Sequence, residues 1–107
     1  MFDELIQERQ KVENVNKTRH PKMWNVIMHN DNVTPIDYVI MVLIEVFNYD
    51  FLSAMLKTGE IHKGTSSIIG TYDRKSAEDY CDKVSAYNKE YGLSLLVTTE
   101  QAKGEDK

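Results

Sequence analysis

The stretch NVIMHNDNVTPIDYVIMVLIEVF, Asn25 to Phe47, changes its pattern twice. Trp24, Val26 and Met28 alternate with Met23, Asn25 and Ile27, the two-residue period of a strand. His29 to Pro35, HNDNVTP, is polar and turn-forming apart from Val33. From Ile36 to Phe47 the chain is apolar except at Asp37 and Glu45. That change predicts a helix over about 35–47. Thr34 suits its N-cap, Pro35 its first position and Asp37 the place of a capping-box acid. A helix apolar on nearly every side is deeply buried or forms part of a binding wall. Turn chemistry accounts for Thr34-Pro35 but leaves His29, Asn30 and Asp31 as a polar surplus beside an apolar element.

Outward from this junction the elements are short and well punctuated. Asn48-Tyr49-Asp50 breaks the first helix. Asp50 can cap a second over about 51–63, with Phe51, Leu52, Met55 and Leu56 as its apolar stripe. Gly59 interrupts that helix at a cost of about 1 kcal/mol relative to Ala, and Gly64 ends it. TSSIIGTY, residues 65–72, predicts a strand. Asp73 caps a third helix over about 74–91, in which Ala77, Cys81, Val84 and Tyr91 recur near the helical period, and Gly92 stops it. LSLLVTT, residues 93–99, predicts the last strand. The order β-α-α-β-α-β implies an α+β two-layer sandwich, a three-stranded antiparallel sheet packed with three helices. Residues 1–22 are expected to be a flexible extension, 23–102 the core and 103–107 a disordered tail.

Composition excludes several classes. A net charge of −4 and scattered basic residues argue against a nucleic-acid partner. The longest apolar run, Tyr38 to Ile44, is too short to span a bilayer, and the N-terminus lacks a secretory pattern, so no membrane partner and a cytoplasmic location are expected. A single cysteine, Cys81, fits a reducing compartment. His29, Asp31 and His62 lack the paired spacing of a zinc site, so no metal is expected. Cys81 falls on an apolar helix face, where a lone cysteine serves as a small core residue, so no catalytic set is expected with His62. His29 reads as a surface histidine at a strand end. His62, closing the second helix, either satisfies that helix's own carbonyls or shares a site with Asn30 and Asp31.

NVIMHNDNVTPIDYVIMVLIEVF, EIHKG at 60–64, IIGTY at 68–72 and LSLLVTTE at 93–100 together resemble the ClpS family of ATP-dependent Clp protease adaptors in order and spacing. The resemblance covers about residues 23–102. It implies a ClpS-like fold, no catalytic activity, no cofactor and a role in the N-end rule. Such adaptors bind proteins whose first residue is bulky and hydrophobic (Leu, Phe, Tyr, Trp) and deliver them to the N-domain of a ClpA- or ClpC-like AAA+ unfoldase. By correspondence Asn30, Asp31 and His62 would accept from the substrate's α-amino group. Ile36, Val39, Thr58, Ile61 and Leu95 would wall the side-chain pocket, with Thr34 at its rim. The chemistry asked for fits these residue types, because an ammonium group needs acceptors and no nearby cation.

The chain departs from the family pattern in two places. Ile36 stands where a methionine is usual, and Thr58-Gly59 where Met-Leu is usual, which predicts a roomier, slightly more polar pocket favouring Trp, Tyr or Phe over Leu. On the third helix Lys75 replaces an acid and Tyr80 a base at unfoldase-docking positions. A regulatory module that docks on a Clp ATPase without carrying cargo is the alternative reading.

Overall fold

The computed structural model describes residues 22–103. The expected extension and tail lie outside them, Lys22 and Lys103 excepted. The elements are β1 (Trp24–His29), α1 (Ile36–Glu45), α2 (Phe51–Lys63), β2 (Ser66–Tyr72), α3 (Arg74–Tyr91) and β3 (Val97–Gln101). The three strands form one antiparallel sheet in the order β2-β1-β3, so the expected β-α-α-β-α-β sandwich is what the chain forms. Alternation in β1 decides its facing: Val26 and Met28 are fully buried, whereas Asn25, Ile27 and His29 are only partly covered. Opposite β1, strand β2 carries a bulge. Val26 pairs with Gly70 and Ile27 with Ile68, leaving Ile69 unpaired and buried. The Tyr49 hydroxyl donates to the Ile69 carbonyl at 2.8 Å.

Val26 and Met28 meet Val42 and Leu43 of α1 and Val84 of α3 in one core. Each such burial contributes roughly 1.5–3 kcal/mol. The cap residues of the second and third helices act as their chemistry demands. Asp50 accepts from the Ser53 amide and Asp73 from the Ser76 amide, both at 2.7 Å. Gly92 closes α3 with φ 69°, and Asn48 makes the break after α1 with φ 60°. Gly64 caps α2 in an extended conformation, its N–H donating to the Glu60 carbonyl at 3.0 Å.

Three expectations need correction. Thr34 does not cap α1: Pro35 occupies the N-cap position without a side-chain bond, and its carbonyl accepts from the Tyr38 and Val39 amides. The Thr34 hydroxyl is taken by Asp31 instead. On α2, Phe51, Leu52, Met55 and Leu56 are exposed, and the buried face is Ala54, Thr58 and Ile61. Small Ala54 and Thr58 let α2 lie close against its neighbours. The last strand starts at Val97, four residues later than the pattern suggests, because Asn88 holds the segment before it. The Asn88 Nδ2 donates to the Leu95 carbonyl at 2.9 Å, and the Leu95 amide donates back to Oδ1 at 3.4 Å. With both Leu95 backbone groups engaged, the ladder with β1 begins only at Met28–Val97.

Candidate functional site

β1 ends at His29, whose amide donates to the Leu96 carbonyl at 3.0 Å, and the next amide, Asn30, donates to the Thr65 carbonyl at 2.9 Å. The polar loop is thus pinned to the chain on both sides of β1. It then wraps around one carboxylate. Asp31 Oδ1 accepts from the amides of Val33 at 2.9 Å and Thr34 at 2.7 Å, and Oδ2 from the Thr34 hydroxyl at 2.7 Å. Burial would raise the Asp31 carboxyl, but the Thr34 hydroxyl and the two amides outweigh it and hold the group below its ordinary 3.8. A carboxylate has about four lone-pair sites, and three are used by the loop, so Asp31 organises the loop and one acceptor position remains open.

The loop, the start of α1, the C-terminal half of α2 and Leu95 enclose a cavity of about 250 Å³. All nine residues proposed from the sequence line it: Asn30, Asp31, Thr34, Ile36, Val39, Thr58, Ile61, His62 and Leu95. Its deep wall is Val39, Thr58, Ile61 and Leu95, all buried. Its mouth is Asn30 and His62, both exposed, with Ile36 half exposed at 50%. Among the described residues, neither Asn30 nor His62 makes a side-chain hydrogen bond. Thr58 gives its hydroxyl hydrogen to the Ala54 carbonyl at 2.7 Å. Inside the cavity that leaves it a methyl group and oxygen lone pairs, an acceptor without a donor.

The sequence reading missed two lining residues, His29 and Asn32. His29 ends β1 beside the loop, and its Nε2 is hydrogen-bonded to the Thr98 hydroxyl at 2.8 Å. Its place at the strand's end was the available signal; Asn32 offered none beyond its neighbours. Cys81 does not line the cavity: its thiol lies 3.8 Å from the Val97 carbonyl, and burial pushes its pKa up. Among the described residues, no three His, Cys, Asp or Glu side chains gather as metal ligands would, and no helix is long and apolar enough to cross a membrane. On α3, Lys75 is exposed with its Nζ 3.8 Å from Asp79. Tyr80, by contrast, stacks on Phe47 at 4.9 Å and lies 4.6 Å from Tyr72, so its ring belongs to the packing of the domain.

A buried apolar wall under a mouth of acceptors can hold a ligand that carries a bulky apolar group next to an ammonium. A small α+β domain with such a pocket defines a binding protein by its geometry. The family described as "ATP-dependent Clp protease adaptor protein ClpS" matches residues 19–98, and the chain belongs to this family of protease adaptors. Among its relatives, the ATP-dependent Clp protease adapter protein ClpS of Vibrio atlanticus is 38% identical over 99 residues, covering 92% of this chain and 88% of the relative. The ClpS of Clostridium acetobutylicum is also 38% identical, over 98 residues, covering 90% and 91%. Among solved structures, Agrobacterium tumefaciens ClpS2 bound to L-phenylalaninamide superposes with a TM-score of 0.74 at 29% identity, covering 78% of this chain and all of that one.

Proposed function

We propose that this adaptor binds the free amino terminus and bulky hydrophobic first residue (Leu, Phe, Tyr, Trp) of substrate proteins. It passes them in the cytoplasm to a Clp AAA+ unfoldase with a ClpA- or ClpC-like N-domain, and performs no chemistry itself. The observation that carries this reading is that Asn30, Asp31 and His62 line one cavity whose deep wall is buried and largely apolar. The ligand of the Agrobacterium structure, L-phenylalaninamide, has the two features this cavity suits: a free amine and a large apolar side chain.

Asn30 would accept through its carboxamide oxygen, Asp31 through the remaining position on Oδ2, and His62 through an unprotonated ring nitrogen. A hydrogen bond to a charged group contributes about 1.5–3 kcal/mol, and burying one Phe or Leu side chain a similar amount. After association costs, the sum points to micromolar affinity, about −8 kcal/mol. An adaptor that must release its cargo works well in that range. The test is fluorescence anisotropy with a Phe-initiated peptide, its N-acetylated form and an Asn30→Ala variant. Saturable binding lost on acetylation and in the variant supports the proposal. A peptide that does not bind the wild type, while the protein still docks on the ATPase, leaves the cargo-free regulatory reading.

A further inference from the structure

The cavity does not use the outward face of α2. Leu52 is 63% exposed, Met55 43% and Leu56 66%, and with Gly59 they recur at i, i+3, i+4 and i+7 on one face. Ala54, Thr58 and Ile61 lie on the opposite, buried flank. Among the described residues nothing requires a glycine at position 59: a Cβ there would meet nothing within 4 Å, and its φ needs no glycine. Glycine in a helix interior weakens the helix, so a glycine with open space beside two exposed leucines calls for a partner that approaches closely.

The face is complementary to itself. We infer that α2 pairs antiparallel with α2 of a second copy of this chain, across a two-fold axis passing between Met55 and Leu56. That axis sets the large Leu52 of one copy opposite the notch at Gly59 of the other, twice, with Met55 against Leu56 at the centre. The same arrangement brings Lys63, at the end of α2, toward the other copy's N-terminal end, where Asp50 supplies a carboxylate. It also opposes the two helix dipoles. A helix of 13 residues is roughly 20 Å long. Two such helices in contact bury less than the roughly 1,200–2,000 Å² of stable specific complexes. The pair is therefore reversible and forms when the chain is concentrated, as a self-complementary two-fold contact should.

Sedimentation of the full chain from about 1 µM to about 1 mM tests this. The expected result is a rise from the 12.4 kDa of one chain toward twice that mass. Leu52→Glu should raise the concentration of half-association at least tenfold. Gly59→Leu should do the same by filling the notch, while raising the thermal midpoint of the dilute protein, which separates lost pairing from lost folding. Monomer mass at every concentration overturns the inference. So does association that neither variant weakens, since another surface then makes the contact.

Discussion

The hydroxyl of Thr34 donates to Asp31 Oδ2 at 2.7 Å while the amide of Thr34 donates to Oδ1 at 2.7 Å, so one residue occupies both oxygens of the carboxylate. Asp31→Asn keeps one oxygen for the two amides but turns the Thr34 hydroxyl from donor to acceptor and removes the negative charge that strengthens all three bonds. Stability should fall by about 1–3 kcal/mol, and peptide affinity at least tenfold as the loop loses its centre. Thr34→Val removes only the hydroxyl bond and should cost about 1 kcal/mol. Chemical denaturation and anisotropy on both variants check this. Unchanged affinity in Asp31→Asn would show that the carboxylate does not organise the site.

Acid should act on stability through four carboxylates. Asp31, Asp50, Asp73 and Glu60 are all held below their ordinary values, 3.8 for the aspartates and 4.5 for the glutamate. Asp50 and Asp73 are lowered mainly by the backbone bonds from Ser53 and Ser76, and Glu60 mainly by Lys57. A lowered folded value means stability fully present above the ordinary value and lost as pH falls through the folded one. These carboxylates should therefore lower the thermal midpoint only below about pH 4.5. Binding tests His62 separately: His62→Ala should weaken peptide affinity several-fold without moving the thermal midpoint, because it removes one acceptor for the ammonium. Unchanged affinity in His62→Ala would remove His62 from the site.

Under the proposed function, the ranking of first residues should turn on Thr58, which lines the cavity. Its oxygen can accept but not donate, so Tyr and Trp, which carry ring donors, should bind more tightly than Leu. Thr58→Met adds bulk and removes that acceptor, and should shift the ratio toward Leu by about 1–3 kcal/mol, roughly 10- to 200-fold. A panel of peptides differing only at the first residue measures it. Leu as the tightest ligand of the wild type would sink the idea.

Asn88 lines no part of the cavity yet holds a wall of it. Its carboxamide bonds both backbone groups of Leu95, and Oδ1 also accepts from the Tyr38 hydroxyl at 2.8 Å. Asn88→Ala should cost about 2–4 kcal/mol and weaken peptide binding, while Tyr38→Phe should cost about 1 kcal/mol and leave affinity nearly unchanged.

The elements were legible where one residue's own chemistry decides. Asp50, Asp73 and Gly92 mark helix ends by local bonds, and Val26 and Met28 declare their face by alternation. The resemblance brought together nine residues that line one cavity. What stayed hidden depends on partners distant in the chain. Nothing local shows that Asn88 takes the backbone of Leu95, so the last strand reads four residues early. The α2 pattern gives a face with large apolar residues and one with small ones, and only packing reveals that the small face is inside. Thr34 has the right chemistry for a cap, but Asp31 three residues earlier competes for its hydroxyl and wins.

The hold of Asn88 on Leu95 also bears on how portable this pocket is. Transplanting the lining residues onto a relative would carry across the surfaces a ligand touches, yet not the frame that fixes one of them. A recipient with a different side chain at the position of Asn88 would receive Leu95 by name and not by place. The shape of this cavity thus depends on at least one residue of α3 that lies outside its lining.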